Sequence, residues 1–167
     1  MGDQSYKVSV YSSKLGIPLT FVTHTHIVTE HAGVQNRYDV FAPFTLVHVE
    51  SFEPYSGIIY KNLLPPETGF LVWFRKKQWW RQDAAHKRWN TTLVSETIGD
   101  EGSPAHKLFQ LIEDDHLTTY PYKGIENYNM VKGPNSNTFV QWVANQVPEC
   151  SLTLPWNAWG KGYKPKK

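Results

Sequence analysis

The period of the apolar residues changes once along this chain, and the change fixes which kinds of layer the fold can contain. Before Ser103 the apolar and β-branched residues come in short strand-like blocks: YKVSVYS, LTFVTHTHIVT, RYDVFAP, TLVHVESF and, later, RWNTTLVSETIG. Turn-formers such as Gly16-Ile17-Pro18 and His31-Ala32-Gly33 separate them, the punctuation expected of a meander. The bridge TEHAGVQN is short enough to join the second and third blocks as an antiparallel hairpin. From Ser103 the period is helical. Ser103 caps, Pro104 takes the first helical position, and Ala105, Leu108, Phe109, Leu111 and Ile112 make one stripe that ends near Asp115. A second helix follows the Gly133-Pro134 turn, with Phe139, Val140, Val143 and Val147 on one face, Trp142 at its shoulder and Pro148 closing it. A sheet followed by amphipathic helices predicts an α+β fold: an antiparallel sheet with two main helices.

Three segments read less regularly. Residues Tyr55 to Thr68 carry Gly57, Pro65 and Pro66 and read as a connection. The run GFLVWFRKKQWWRQ suits a strand, with helix as the alternative, and SLTLPWNAWGKGY holds a possible last strand before a Gly-rich tail. In the region from Trp73 to Trp89, tryptophans and cations alternate. They either divide into a core face and a solvated face or offer a stacking surface for sugars or bases.

At 167 residues the chain suits one domain, taken as 1–160, with a basic tail at 161–167. Apolar residues at 40% and charged residues at 19% exclude disorder. The net charge of +2 comes largely from Lys161, Lys164, Lys166 and Lys167. A solvated terminus accounts for it, so no nucleic-acid partner is expected. Cys150 is the only cysteine, which rules out an intrachain disulfide and a cysteine-based metal site. No apolar run reaches signal-peptide or membrane-spanning length. A cytoplasmic location is expected, and the sequence leaves the oligomeric state open.

Two places could carry chemistry. In FVTHTHIV, His24 and His26 are two apart and share one face of an extended strand, while Phe21, Thr23, Thr25 and Ile27 share the other. Such a pair is a metal pair, a base with a neighbour, or simply two surface or hydrogen-bonded histidines. No HExxH or cysteine pattern supplies further ligands, so no metal is expected. In GPNSNTFVQWV, Asn135 and Ser136 stand where a helix begins. There they either cap the free N–H groups, or Ser136 presents a hydroxyl at the positive end of the dipole.

Together the two places resemble a known layout. His24-Thr25-His26-Ile27-Val28 and Asn135-Ser136-Asn137-Thr138-Phe139-Val140 resemble the lecithin retinol acyltransferase-like branch of the circularly permuted papain-type proteins, whose signature is H-W-x-I-Y-V followed much later by N-C-E-H-F-V. Ser136 stands where that family has cysteine. A more extensive resemblance runs through YPYKGIENYNMVKGPNSNTFVQWVANQVPE and LPWNAWGKGY. It is to an uncharacterised bacterial domain family that shares a GPNSNTF helix start and an LPxxAxGK-type C-terminal segment and has no established activity.

The first resemblance implies a permuted papain-like domain acting as a hydrolase or acyltransferase on an amide or ester. Ser136 would be the nucleophile and His24 the base, with His26 as second choice. If the hairpin closes tightly around Gly33, Asp39 falls close to opposite His26, and Tyr38 does so after a slip of one residue. Asp39 is therefore the candidate to orient the imidazole, the alternative being a polar residue on the solvent side. Backbone N–H groups near Asn137 would form an oxyanion hole. Asn135, Asn137, Tyr122 and Tyr128 would contact a small-molecule or peptide-like substrate, and no cofactor is required. The competing expectation is a catalytically inactive member of the fold that binds a peptide, glycan or lipid-like group beside Tyr120, Tyr122 and Tyr128.

Overall fold

The computed structural model describes residues 4–14, 23–40, 59–62, 91–114, 117, 119–122, 128–129 and 131–164. Among these residues five strands, β1 (Tyr6–Lys14), β2 (Thr23–His31), β3 (Val34–Val40), β4 (Ile59–Lys61) and β5 (Thr92–Gly99), form one sheet in the order β4-β3-β2-β1-β5. Every neighbouring pair is antiparallel. Two helices follow, α1 (Pro104–Glu113) and α2 (Ser136–Gln146), then a 3₁₀ turn at Pro148–Cys150. This is the expected α+β arrangement.

The β2–β3 hairpin closes with His31 opposite Val34. Its two turn residues, Ala32 and Gly33, have φ of 49° and 79°, the left-handed pair that a twisted two-residue hairpin requires. From there the register runs to Ile27 opposite Tyr38, so Asp39 is next to β2 with no slip.

Register also sorts the side chains into two faces. Val8 and Val10 of β1, Ile27 of β2, Tyr38 and Val40 of β3 and Ile59 of β4 share one face. They form the core with Leu108 and Ile112 of α1 and Phe139, Val140 and Val143 of α2. Residues one position out of step, among them Ser9, Ser13, His24, His26, Arg37 and Asp39, point the other way, and they too are buried. A solvated second face would alternate buried with exposed positions. Instead β2 is buried at every residue from Thr23 to Thr29.

The caps are as anticipated for α1: Ser103 accepts a hydrogen bond from the His106 N–H, Pro104 opens the helix, and Asp114 closes it. The last turn is fastened through Glu113. Its carboxylate accepts from Lys61 Nζ at 2.8 Å, from Asn36 Nδ2 at 3.0 Å and from the Thr29 hydroxyl. One acidic side chain thus ties α1 to β2, β3 and β4.

Two expectations are corrected. The connection from Tyr55 to Thr68 contributes β4, whose Ile59 enters the core opposite Val40. Among the described residues after Cys150, none lies in a strand. Thr153 meets β5 only through a side chain, its N–H and C=O both bonded to Ser95 Oγ at 3.0 Å, and Pro155, which lacks an N–H, interrupts any ladder. The blocks TLVHVESF and GFLVWFRKKQWWRQ, with the tryptophan-rich region 73–89, lie outside the described residues.

Candidate functional site

The first turn of α2 is a knot of amide side chains. Asn135, not Ser136, is the N-cap, and its Oδ1 accepts from the N–H groups of Asn137 and Thr138 at 3.0 and 3.1 Å. Its Nδ2 donates to the Trp159 carbonyl at 3.1 Å. Asn137 reaches the sheet: Nδ2 donates to the Thr23 and Trp159 carbonyls at 2.9 and 2.8 Å, and Oδ1 accepts from Thr25 Oγ1 at 2.7 Å. Thr138 Oγ1 donates to the Gly160 carbonyl at 2.7 Å. Gly160, with φ of 85°, passes so close that a Cβ would meet Asn135 Nδ2 at 2.5 Å. Helix start, β2 and C-terminal segment are stapled together, and Ser136 is buried among them.

Tyr122 and Tyr128, expected to contact substrate, pack against the core, and Tyr120 is part of it. Tyr122 lies edge-on to Tyr120 and Tyr163, and burial pushes the Tyr128 hydroxyl up to about 12.

On the opposite face, His24 Nε2 lies 2.8 Å from Asp39 Oδ1, both side chains buried. Asp39 comes from β3 and is joined there by Arg37, two positions earlier and so on the same face. Arg37 Nε donates to Oδ2 at 2.5 Å and Nη2 to Oδ1 at 3.2 Å. Burial alone would raise the Asp39 carboxyl. The Arg37 guanidinium, the His24 hydrogen bond and the His26 and His24 charges together outweigh it, and the group stays well below the usual carboxylate range. An ionised carboxylate only accepts, so His24 Nε2 donates, and in the neutral ring the basic lone pair sits on Nδ1. The His26 ring lies 6.4 Å from that of His24 and stacks on Tyr11 at 5.6 Å.

Ligand atoms of His24, His26 and Asp39 lie within 4.8 Å of one another, close enough to share a cation. The donor set fits one poorly, because the Arg37 fork already neutralises the only carboxylate and would repel a second positive charge.

The structure therefore brings His24, His26 and Asp39 together, and Asn135, Ser136 and Asn137 together, but not the two groups with each other. Thr23 and Thr25, the β2 residues of the helix side, meet α2, while His24 and His26 between them point away through the sheet. The pairing of Ser136 with a His24 base is corrected on this ground. Sequence reasoning also passed over Arg37, although its spacing in Arg37-Tyr38-Asp39 puts it beside the aspartate on any strand. The fastening role of Asn137 had no local signal.

These features define an α+β protein with a stapled helix start on one side of its sheet and a buried histidine-aspartate-arginine network on the other. The chain belongs to the family described as "Protein of unknown function (DUF3750)", whose model matches residues 67–163, more than half of it. That stretch holds β5, both helices and the Asn135–Thr138 staple, whereas β1 to β4 precede it. Neither the curated proteins nor the solved structures include a significant match.

Proposed function

We propose that the protein is a hydrolase or acyltransferase acting on an amide or ester, with His24 as general base and Asp39 as the group that orients it. The observation that carries this is the 2.8 Å bond between His24 Nε2 and Asp39 Oδ1. A buried carboxylate held ionised by Arg37 fixes the tautomer and stabilises the imidazolium that forms when the base takes a proton. A circularly permuted papain-like arrangement is supported by element order, since the histidine strand precedes α2 and packs on its first turn through Thr25 and Asn137. The nucleophile is then not Ser136, because the sheet lies between it and the base.

A second reading, a catalytically inactive member of the fold that binds a peptide, glycan or lipid-like group, is favoured by the α2 start. There the amides of Asn135 and Asn137 are taken up in internal bonds. Hydrolysis of a panel of p-nitrophenyl esters and anilides separates the two. Turnover that falls at least about a hundredfold in His24→Gln supports the enzyme. No turnover by the wild type sinks it and leaves the binding module.

A further inference from the structure

We propose that Ser13 is the hydroxyl nucleophile of the His24–Asp39 pair, completing a serine-histidine-aspartate row across β1, β2 and β3. This assignment rests on the hydrolase reading above. Ser13 is the direct cross-strand partner of His24 in the β1–β2 ladder, so their Cβ atoms are about 4.5–5.5 Å apart on the same face. Both are buried, at 2% and 6% exposure.

Which ring nitrogen faces which neighbour follows from length. Nε2, at the far end of the imidazole, spans to Asp39 on β3. Nδ1, bonded to Cγ, is then the nitrogen left for a neighbour on the other side of the ring, and Ser13 is the residue opposite His24 on β1. Nδ1 is also the nitrogen that carries the lone pair. The other hydroxyls of β1 are placed otherwise, Tyr6 at the far end of the strand with its ring stacked on His31. Ser12 pairs with Thr25 on the helix side, Ser9 pairs with Val28, and Tyr11 pairs with His26, on which its ring stacks.

In the acylation step, Ser13 Oγ bonds to the substrate carbonyl carbon while its proton passes to His24 Nδ1 and the carbonyl π pair moves onto oxygen. Collapse breaks the bond to the amine or alcohol, which leaves with the proton from His24. Water then attacks the acyl-serine, its proton passing through His24 back to Ser13 Oγ, and the carboxylic acid departs.

The test treats the full chain with a biotinylated fluorophosphonate, followed by digestion and mass spectrometry, alongside the ester assay. The expected result is a single adduct on Ser13, lost in Ser13→Ala and in His24→Gln and kept in Ser12→Ala. Ser13→Cys, which holds a nucleophile of similar size, should hydrolyse esters and lose that activity to iodoacetamide. It also serves if Ser13→Ala fails to fold. Ester turnover that depends on His24 but persists in Ser13→Ala, or an adduct on Ser136, overturns the Ser13 assignment and spares the base pair. A wild type with neither adduct nor turnover overturns the parent reading, and the assignment with it.

Discussion

Asn137 makes three hydrogen bonds to two separate parts of the chain, two of them buried, to Thr23 and Thr25 on β2, and one partly buried, to Trp159 near the C-terminus. A residue that looked like part of an oxyanion hole is thus a fastener. Removing it takes the buried partner from the Thr25 hydroxyl and the Thr23 carbonyl, while the Trp159 carbonyl keeps its bond from Asn135 Nδ2, so Asn137→Ala is expected to cost about 2–3 kcal/mol in urea unfolding. Asn137→Asp is expected to be worse, because a carboxylate would face the Thr23 and Trp159 carbonyls without a donor. Arg37 shows the same logic with charge. Arg37→Met leaves the Asp39 carboxylate buried without its main counter-charge, a loss of about 3–5 kcal/mol. Adding Asp39→Asn to that variant should recover part of the loss, and a double-mutant cycle on the urea midpoints would read the coupling.

Among the elements, the β2–β3 hairpin sets the register on which the histidine-aspartate contact depends. Its turn is Ala32-Gly33, both left-handed, and alanine is the weaker choice of the two. Ala32→Asn should raise stability by about 0.5–1 kcal/mol, since Asn-Gly is the preferred pair for this turn. Gly33→Ala should lower it by about 1–2 kcal/mol through backbone strain alone, because a Cβ there meets nothing within 4 Å. Thermal melts of the two variants should move in opposite directions. This hairpin was visible in the sequence, as were both helices and the Ser103 cap, because each depends on residues a few positions apart. The short strand β4 was not, since three residues carry too little period to be read and its place is fixed by pairing with β3.

For the molecule as a whole, one buried and one partly buried carboxylate, Asp39 and Glu113, set the response to acid. Asp39 is held low by Arg37, against the opposing effect of burial, and Glu113 is held low by Lys61, Thr29, Tyr38 and Asn36, again against burial. For each, the unfolded chain binds the proton more tightly, so stability rises with pH through the carboxylate range. These contributions are fully present above the unfolded values, about 4, and are lost as pH falls through the lower native ones. Urea midpoints measured from pH 6 down to pH 3 should drop steeply in the wild type. In Glu113→Gln the drop should be shallower, with a lower midpoint at pH 6; an unchanged acid slope would remove Glu113 from this account. Among the described residues no helix is long and apolar enough to cross a membrane.

By itself the sequence determined what local spacing determines: strands where apolar residues alternate, helices where they recur every three to four, the hairpin at Ala32-Gly33, and a shared face for His24 and His26. It could not say which face of β2 would meet α2. The run Thr23-His24-Thr25-His26 is polar on both sides, so its pattern has no apolar side to turn inward. That choice fell to contacts more than a hundred positions apart, the threonines meeting Asn137 and Ile27 entering the core. The histidines were thereby left on the far side with Asp39 and Arg37, away from the serine that the order of the motifs had paired with them.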